Sequence, residues 1–304
     1  MASFRLATYQ SDRGRRSGMV LARFLYDVAD LSGREDYATT EGVLADWDNA
    51  EPILRKAAQD PGTTAGRPLT DVQLLAPVLR PSGIYCAGAN YADHVANMAK
   101  RLNLAPEPDP HERGLKPWHF LKPSGCLVGP DSTVLLECEN LDWEAELAAV
   151  IGRKAKNVSQ ADALSYVAGY TIANDLSARD LMRRDPVDDH SPFKYDWIGQ
   201  KCFDGSCPLG PWLVPAAEIP DPQNLAIKLW VDSELKQDSN TSRMIFTLAE
   251  QLSHISSRIT LHPGDIILTG TPAGVGAERG EKLQRGQKVR IEIENIGELT
   301  TTIG

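Results

Sequence analysis

The stretch Leu141-Asp-Trp-Glu-Ala-Glu-Leu-Ala-Ala-Val-Ile-Gly-Arg153 ends in an apolar run bounded by Gly152, and that run reads as a buried strand. Two acids, Glu144 and Glu146, stand at its entrance. On a strand, residues i and i+2 share a face, with Cα atoms roughly 6–7 Å apart. Carboxylates placed side by side repel each other. The repulsion is relieved either by a cation held between them or by plain exposure to water. For an all-oxygen site the cation would be hard, of the Mg²⁺ or Ca²⁺ kind. Both readings stay open on this pair alone.

The remainder of the chain sets the frame around this strand. Residues 3–31 alternate in short runs and predict an antiparallel meander. Thr39 or Thr40 can cap a helix carrying Val43, Leu44 and Trp47, and Pro52 suits the first turn of a second helix over 52–58. The loop Asp60-Pro-Gly-Thr-Thr-Ala-Gly-Arg-Pro68 is the best boundary signal, giving an accessory unit 1–76 and a main unit 77–304. The main unit reads mostly as strands, with a helix around His94, a start at Ser177 with Asp180 in capping-box spacing, and a helix capped by Ser242. Strands and helices do not alternate, which argues against a doubly wound sheet. The expected class is α+β, mainly β. The segment 97–118, rich in proline, glycine and charge, reads as a long loop or lid.

The 304 residues are 42% hydrophobic and 24% charged, with a formal net charge of −9. An acidic chain is poorly suited to nucleic acid or to an anionic membrane surface. No apolar run reaches the ~18–20 residues of a membrane span, and no signal-peptide pattern is visible at Met1. The five cysteines form no C-x-x-C pair. These features predict a cytoplasmic protein with reduced thiols.

A third oxygen ligand is available at Asp175, where a strand gives way to a helix. Its plain alternative is a helix cap. Three carboxylates with water or substrate in the remaining positions suit Mg²⁺ or Mn²⁺. No pair of His or Cys shows zinc-ligand spacing. Lys122 and Lys201 are flanked by apolar or small residues, and a half-buried lysine there needs an anionic partner. The turn Thr269-Gly-Thr-Pro-Ala-Gly-Val-Gly276 is not a P-loop. It is either a simple glycine turn or a set of N–H groups, with Thr271, that faces an anion.

Six segments in order, Gly88-Ala-Asn-Tyr-Ala-Asp-His94, Phe120-Leu-Lys-Pro123, Asp142-Trp-Glu-Ala-Glu146, Asn174-Asp-Leu-Ser-Ala-Arg-Asp180, Gln200-Lys201 and Leu268–Gly276, together resemble the fumarylacetoacetate hydrolase family over about 78–304. The resemblance implies a mixed β-sandwich roll with a small N-terminal α/β domain, usually dimeric. It implies Glu144, Glu146 and Asp175 as ligands of a divalent metal, Mg²⁺ first, with Mn²⁺ or Ca²⁺ as alternatives. Lys201 matches the lysine near the metal-bound oxygens, and His94 the histidine that activates water. Thr271 with Gly270, and Tyr91 and Lys122 on their own motifs, are candidate substrate contacts. Family members act on small 2-oxo acids and related dicarbonyls.

One departure bears on the reaction. Hydrolytic members commonly pair the histidine with a Glu three residues on, and here that position is Asn97. Asn can hold a histidine but cannot offset imidazolium charge. Glu107, Asp109 or Glu112 could supply the carboxylate from the lid, with Glu112 the catalytic candidate. The leading expectation is a Mg²⁺-dependent hydrolase cleaving a C–C bond of an acylpyruvate-like 2-oxo acid. The alternatives are a decarboxylase, isomerase or dehydratase on the same metal, and a catalytically idle binding protein of the same fold.

Overall fold

The computed structural model describes residues 3–188 and 190–304. The chain opens with the predicted meander, β1 (Arg5–Ser11), β2 (Gly14–Leu21) and β3 (Phe24–Asp27), paired antiparallel. Helices α1 (Val28–Ser32), α2 (Thr40–Ala45) and α3 (Trp47–Ala57) follow. Thr39 caps α2 by accepting from Gly42 N. Pro52 lies inside α3 and not at its start. The helix already begins at Trp47, and the burial of Trp47, Ala50 and Leu54 along one face offsets the hydrogen bond that proline removes.

Short strands β4 (Arg67–Pro68) and β5 (Leu74–Leu75) lead to β6 (Ile84–Ala87), helix α4 (Ala92–Arg101) and β7 (His119–Lys122). Then come β8 (Leu127–Val128), β9 (Ser132–Val134), β10 (Leu141–Asp142), β11 (Ala145–Ile151), β12 (Val167–Asn174) and β13 (Ser177–Ala178). Helix α5 (Trp197–Lys201), β14 (Cys207–Pro215), β15 (Ala226–Val231), β16 (Glu234–Asn240) and α6 (Leu248–Arg258) follow. The chain closes with β17 (Ile266–Leu268), α7 (Gly276–Arg279), β18 (Lys288–Ile293) and β19 (Gly297–Ile303).

Most strands form one large sheet in the order β4-β3-β2-β1-β14-β12-β11-β17-β6-β7, with β5 on β1 and β8 on β14, and a second, five-stranded sheet in the order β16-β15-β18-β19-β9, while β10 pairs with β13 alone. The fold is mixed α+β and mainly sheet, as expected. Strand β11 is central, with β12 on one side and β17 on the other. Leu147, Ala149 and Ile151 pack with Ile227, Leu229, Ile291 and Leu299 of the second sheet. Ala148 and Val150, of the opposite parity, pack with Leu44, Trp47 and Leu54 of the N-terminal helices. A strand covered on both faces is apolar at successive positions, which explains the unbroken run at 147–151 that follows Glu146. The N-terminal segment therefore supplies the cover for the second face of the central strand, and β1 extends the sheet by pairing with β14.

Two predicted caps lie elsewhere. Helix α6 starts at Leu248, capped by Thr247 in a capping box with Glu250, and not at Ser242. Ser177 caps no helix. It sits in β13 and donates to Glu144 Oε1 at 3.1 Å and to Asp175 O at 3.0 Å.

Candidate metal centre

Glu146 lies on β11, Glu144 just before it, and Asp175 just after β12, the antiparallel neighbour. Pairing of the two strands brings the three acids together, and Asp175 N donates to Glu144 O at 2.9 Å. One carboxylate oxygen from each lies within 4.8 Å of the others, and all three side chains are buried. Each is set by local contacts. Glu146 Oε2 accepts from Gly270 N at 2.7 Å. Gly270 has φ +96°, and a Cβ there would stand 2.8 Å from Asn90 Cβ, so the amide can face Glu146 only with glycine at this position.

Two buried lysines and a half-buried arginine surround the cage. Lys201 Nζ bridges Glu144 Oε2 at 2.9 Å and Asp175 Oδ2 at 2.6 Å. Arg179 donates to Glu144 Oε1 at 2.6 Å and to Asp142 Oδ2 at 2.9 Å. Lys122 donates to Asp175 Oδ1, to Leu176 O at 3.2 Å and to Ser206 O at 2.8 Å. An ammonium has three donors, so Lys122 is fully engaged. It holds Asp175 in place, and the substrate-contact assignment made from sequence does not fit it.

The electrostatics are uneven. Burial opposes ionisation of Glu144, but Lys201 and Arg179 outweigh it and hold its carboxyl well below the usual range. Glu146 is pushed well above the usual range by burial and by the neighbouring charges of Asp175 and Glu144. With every carboxyl ionised, as metal binding requires, Asp142, Glu144, Glu146 and Asp175 would outnumber Lys122, Arg179 and Lys201 by one charge. The donor set is all oxygen and in excess of its protein cations, which fits a hard divalent ion. Orphaned buried polar atoms lie close by: Tyr91 Oη, Asn174 Nδ2 beside Asp175, and Gln200 Oε1 beside Lys201. With a divalent ion in place the net charge of the cluster would change sign and favour an anionic ligand.

His94 lies on α4, close enough to Glu144 that a positive charge on its ring would favour the ionised carboxyl. The loop before α4 is stapled to the glycine-rich turn. Asn90 Nδ2 donates to Thr269 O at 2.8 Å and to Phe246 O at 3.0 Å, and Asp93 Oδ1 accepts from Ala273 N at 3.2 Å. His94 Nδ1 is hydrogen-bonded to Glu278 Oε1 on α7. Asn97 Nδ2, one turn along α4, donates to Glu278 Oε2 at 3.1 Å, and Gly274 N donates to the same oxygen at 2.8 Å. The carboxylate beside His94 is therefore Glu278, and not Glu107, Asp109 or Glu112. Glu107 is paired with Arg113 and Asp109 with His111, while Glu112 is exposed.

Thr271 Oγ1 accepts from Gln237 Nε2 at 2.9 Å, and Gln237 Oε1 accepts from Ala145 N at 3.0 Å, so one glutamine ties the glycine-rich turn to β11. Tyr91 is fully buried, and the charge of Glu146 adds to burial in raising its hydroxyl pKa. Sequence reasoning missed three members of the cluster: Asp142, Arg179 and Glu278. The first two stand inside motifs quoted above. Glu278 carries no local signal beyond its place four residues after Gly274.

With this geometry in hand, the relatives are informative. Oxaloacetate tautomerase Fahd2a, mitochondrial, of Rattus norvegicus is 41% identical over 234 residues, 76% of this chain and 69% of that protein. The maleylpyruvate hydrolase of Sphingobium sp. SYK-6, solved with manganese(II) and pyruvate, is 29% identical with a TM-score of 0.75, covering 98% of both chains. The 2-hydroxyhepta-2,4-diene-1,7-dioate isomerase of Mycobacterium marinum is 32% identical with a TM-score of 0.71, covering 99% of this chain and 98% of that one. Among the described residues no helix is long and apolar enough to cross a membrane. The family model described as fumarylacetoacetate (FAA) hydrolase C-terminal matches residues 83–304, and the chain belongs to the fumarylacetoacetate hydrolase family.

Proposed function

We propose that this protein is a divalent-metal-dependent enzyme that carries a 2-oxo acid through its enolate, and that its reaction is hydrolysis of a C–C bond in an acylpyruvate-like substrate. The observation that carries the reading is the His94–Glu278 hydrogen bond beside the three-carboxylate cage. Glu144, Glu146 and Asp175 would hold Mg²⁺ or Mn²⁺. A divalent ion bound there would act as a Lewis acid on the oxygens of the 2-oxo acid.

The chain's own groups take the other parts. Nδ1–H donates to Glu278, which leaves His94 Nε2 as the nitrogen that accepts a proton. His94 takes that proton from the water attacking the distal carbonyl, and Glu278 offsets the imidazolium charge. The electrons of the breaking C–C bond pass to the 2-oxo-acid fragment, whose enolate charge develops near Lys201. Protonation of that carbon releases the second product. Glu278, brought from a different element, supports this reading by supplying the carboxylate that Asn97 lacks.

A second reading, keto–enol exchange on a 2-oxo dicarboxylate, is favoured by the likeness to the rat tautomerase. It uses the same base and the same enolate without attack by water. One assay separates them. Hydrolysis consumes the enol absorbance of an acylpyruvate and yields pyruvate, while exchange equilibrates the enol and keto bands of oxaloacetate with no carbon–carbon cleavage. Unchanged absorbance with both compounds in the Mn²⁺-loaded protein would sink both readings. We further propose that 1–76 is the accessory unit, a homodimer the working assembly and the cytoplasm its location. The accessory assignment is supported by the family match at 83–304 and by the clustering of every site residue within it.

A further inference from the structure

Beside the cage a run of aromatic rings leads to the surface. Lys201 Nζ lies 5.1 Å from the centroid of Phe120. Phe120 is stacked on Trp197 at 5.8 Å, and Trp118 meets Trp197 edge-on at 5.2 Å. Phe120 is half-buried, while Trp118 and Trp197 are 48% and 41% exposed. Two separate elements build this wall. Trp118 directly precedes β7 and Phe120 lies on it, while Trp197 and Lys201 are the first and last residues of α5.

The other side of Trp118 is also fixed. Its ring lies on the backbone of Gly88, where a Cβ would fall 1.4 Å from Cζ3, and Gly88 N donates to Trp118 O at 3.1 Å. Gly88 opens the segment that carries Tyr91 and His94. The rings thus span from the His94 loop to the lysine at the cage. Large exposed aromatic surface is unfavourable in water unless something covers it. This surface is continuous with a site that would favour a compact anionic head once a divalent ion is held there.

Resting on the reading above, we propose that Trp118, Phe120 and Trp197 form the subsite for the distal part of the substrate, and that this part is apolar or aromatic and not a second carboxylate. The 2-oxo-acid head sits at the cage, and the tail runs outward along the rings. A carboxylate tail would meet the negative faces of the rings, and the cation beside them, Lys201, is already held by Glu144 and Asp175. An apolar tail gains by burial.

Two 2-oxo acids with one head test the assignment: pyruvate, and 4-phenyl-2-oxobutanoate, which adds a ring. Binding to the Mn²⁺-loaded full chain is followed by tryptophan fluorescence and by calorimetry. Burial of the ring should make the phenyl compound bind at least about tenfold more tightly. Trp118→Ala should reduce that preference to about threefold or less with pyruvate affinity kept, and Trp118→Phe should retain most of it. Equal affinity for the two acids in the wild type overturns the subsite alone. Failure of both to bind overturns it together with the 2-oxo-acid reading. A fluorescence change that follows protein concentration and ignores the ligand would assign the rings to a second copy of the chain and overturn the subsite.

Discussion

His94 and Glu278 are 184 residues apart in sequence, yet Nδ1 of the one is hydrogen-bonded to the carboxylate of the other. Asn97 joins the same carboxylate from the next turn of α4. The residue that seemed to weaken the histidine instead helps to position its partner.

Glu278→Gln keeps the shape and removes the charge that offsets imidazolium. Turnover should fall by about 10²–10⁴-fold, the usual range for general acid–base help, with Mn²⁺ affinity unchanged. Steady-state rates and a metal titration check this together. Glu112→Gln, on the exposed segment, should leave both alone. Unaltered turnover in Glu278→Gln would remove the pair from the mechanism.

Glu146 separates the metal-free from the metal-bound protein. In the metal-free state it is a buried acid set against Asp175 and Glu144. Glu146→Gln should therefore raise the metal-free melting temperature. A hundredfold excess of Mn²⁺ over its Kd should add about 2.7 kcal/mol to wild-type stability and little to the variant. Calorimetric melting with and without the ion measures both. Equal metal stabilisation of the two proteins would place the ion elsewhere.

Lys122 is a structural cation. Its three acceptors, Asp175, Leu176 O and Ser206 O, are all buried. Lys122→Met leaves Asp175 short of a partner, and breaking a buried pair in this way costs about 3–5 kcal/mol. Denaturant unfolding should show a loss of that size. A loss under ~1 kcal/mol would mean that Lys201 alone holds Asp175.

His119 gives a pH signature away from the cage. Burial lowers its pKa to about 4, with the charge of nearby His254 acting in the same direction. Its ring lies 6.3 Å from that of His254. A base with a depressed folded pKa favours the neutral form. The contribution is complete above the unfolded value of about 6.5 and is lost as pH falls toward the folded value. Stability should decline over that window by at most ~1.4 kcal/mol per pH unit from this residue. His119→Gln should flatten the slope in pH-dependent denaturant unfolding. An identical slope in the variant would assign the titration to other groups.

The unbroken apolar run at 147–151, the two acids at its head and the motif order were legible because each is local. Strand period, charge repulsion and residue spacing act between near neighbours. The meander at the N-terminus and the β18–β19 pair follow from the same short-range rules. The caps at Ser177 and Ser242 misled because hydroxyl groups serve equally well as partners for distant acceptors or for other turns. Asp175 joined the cage only through the pairing of β11 with β12, and Glu278 reached His94 only because the glycine-rich turn is stapled to the loop before α4. Carboxylate–imidazole recognition needs a contact of about 3 Å, and spacing along the chain does not encode a distance of that kind between elements so far apart. The sequence by itself determined a buried strand with two acids at its head. Tertiary packing alone decided which carboxylate holds His94, and hence which proton-transfer chemistry is within reach.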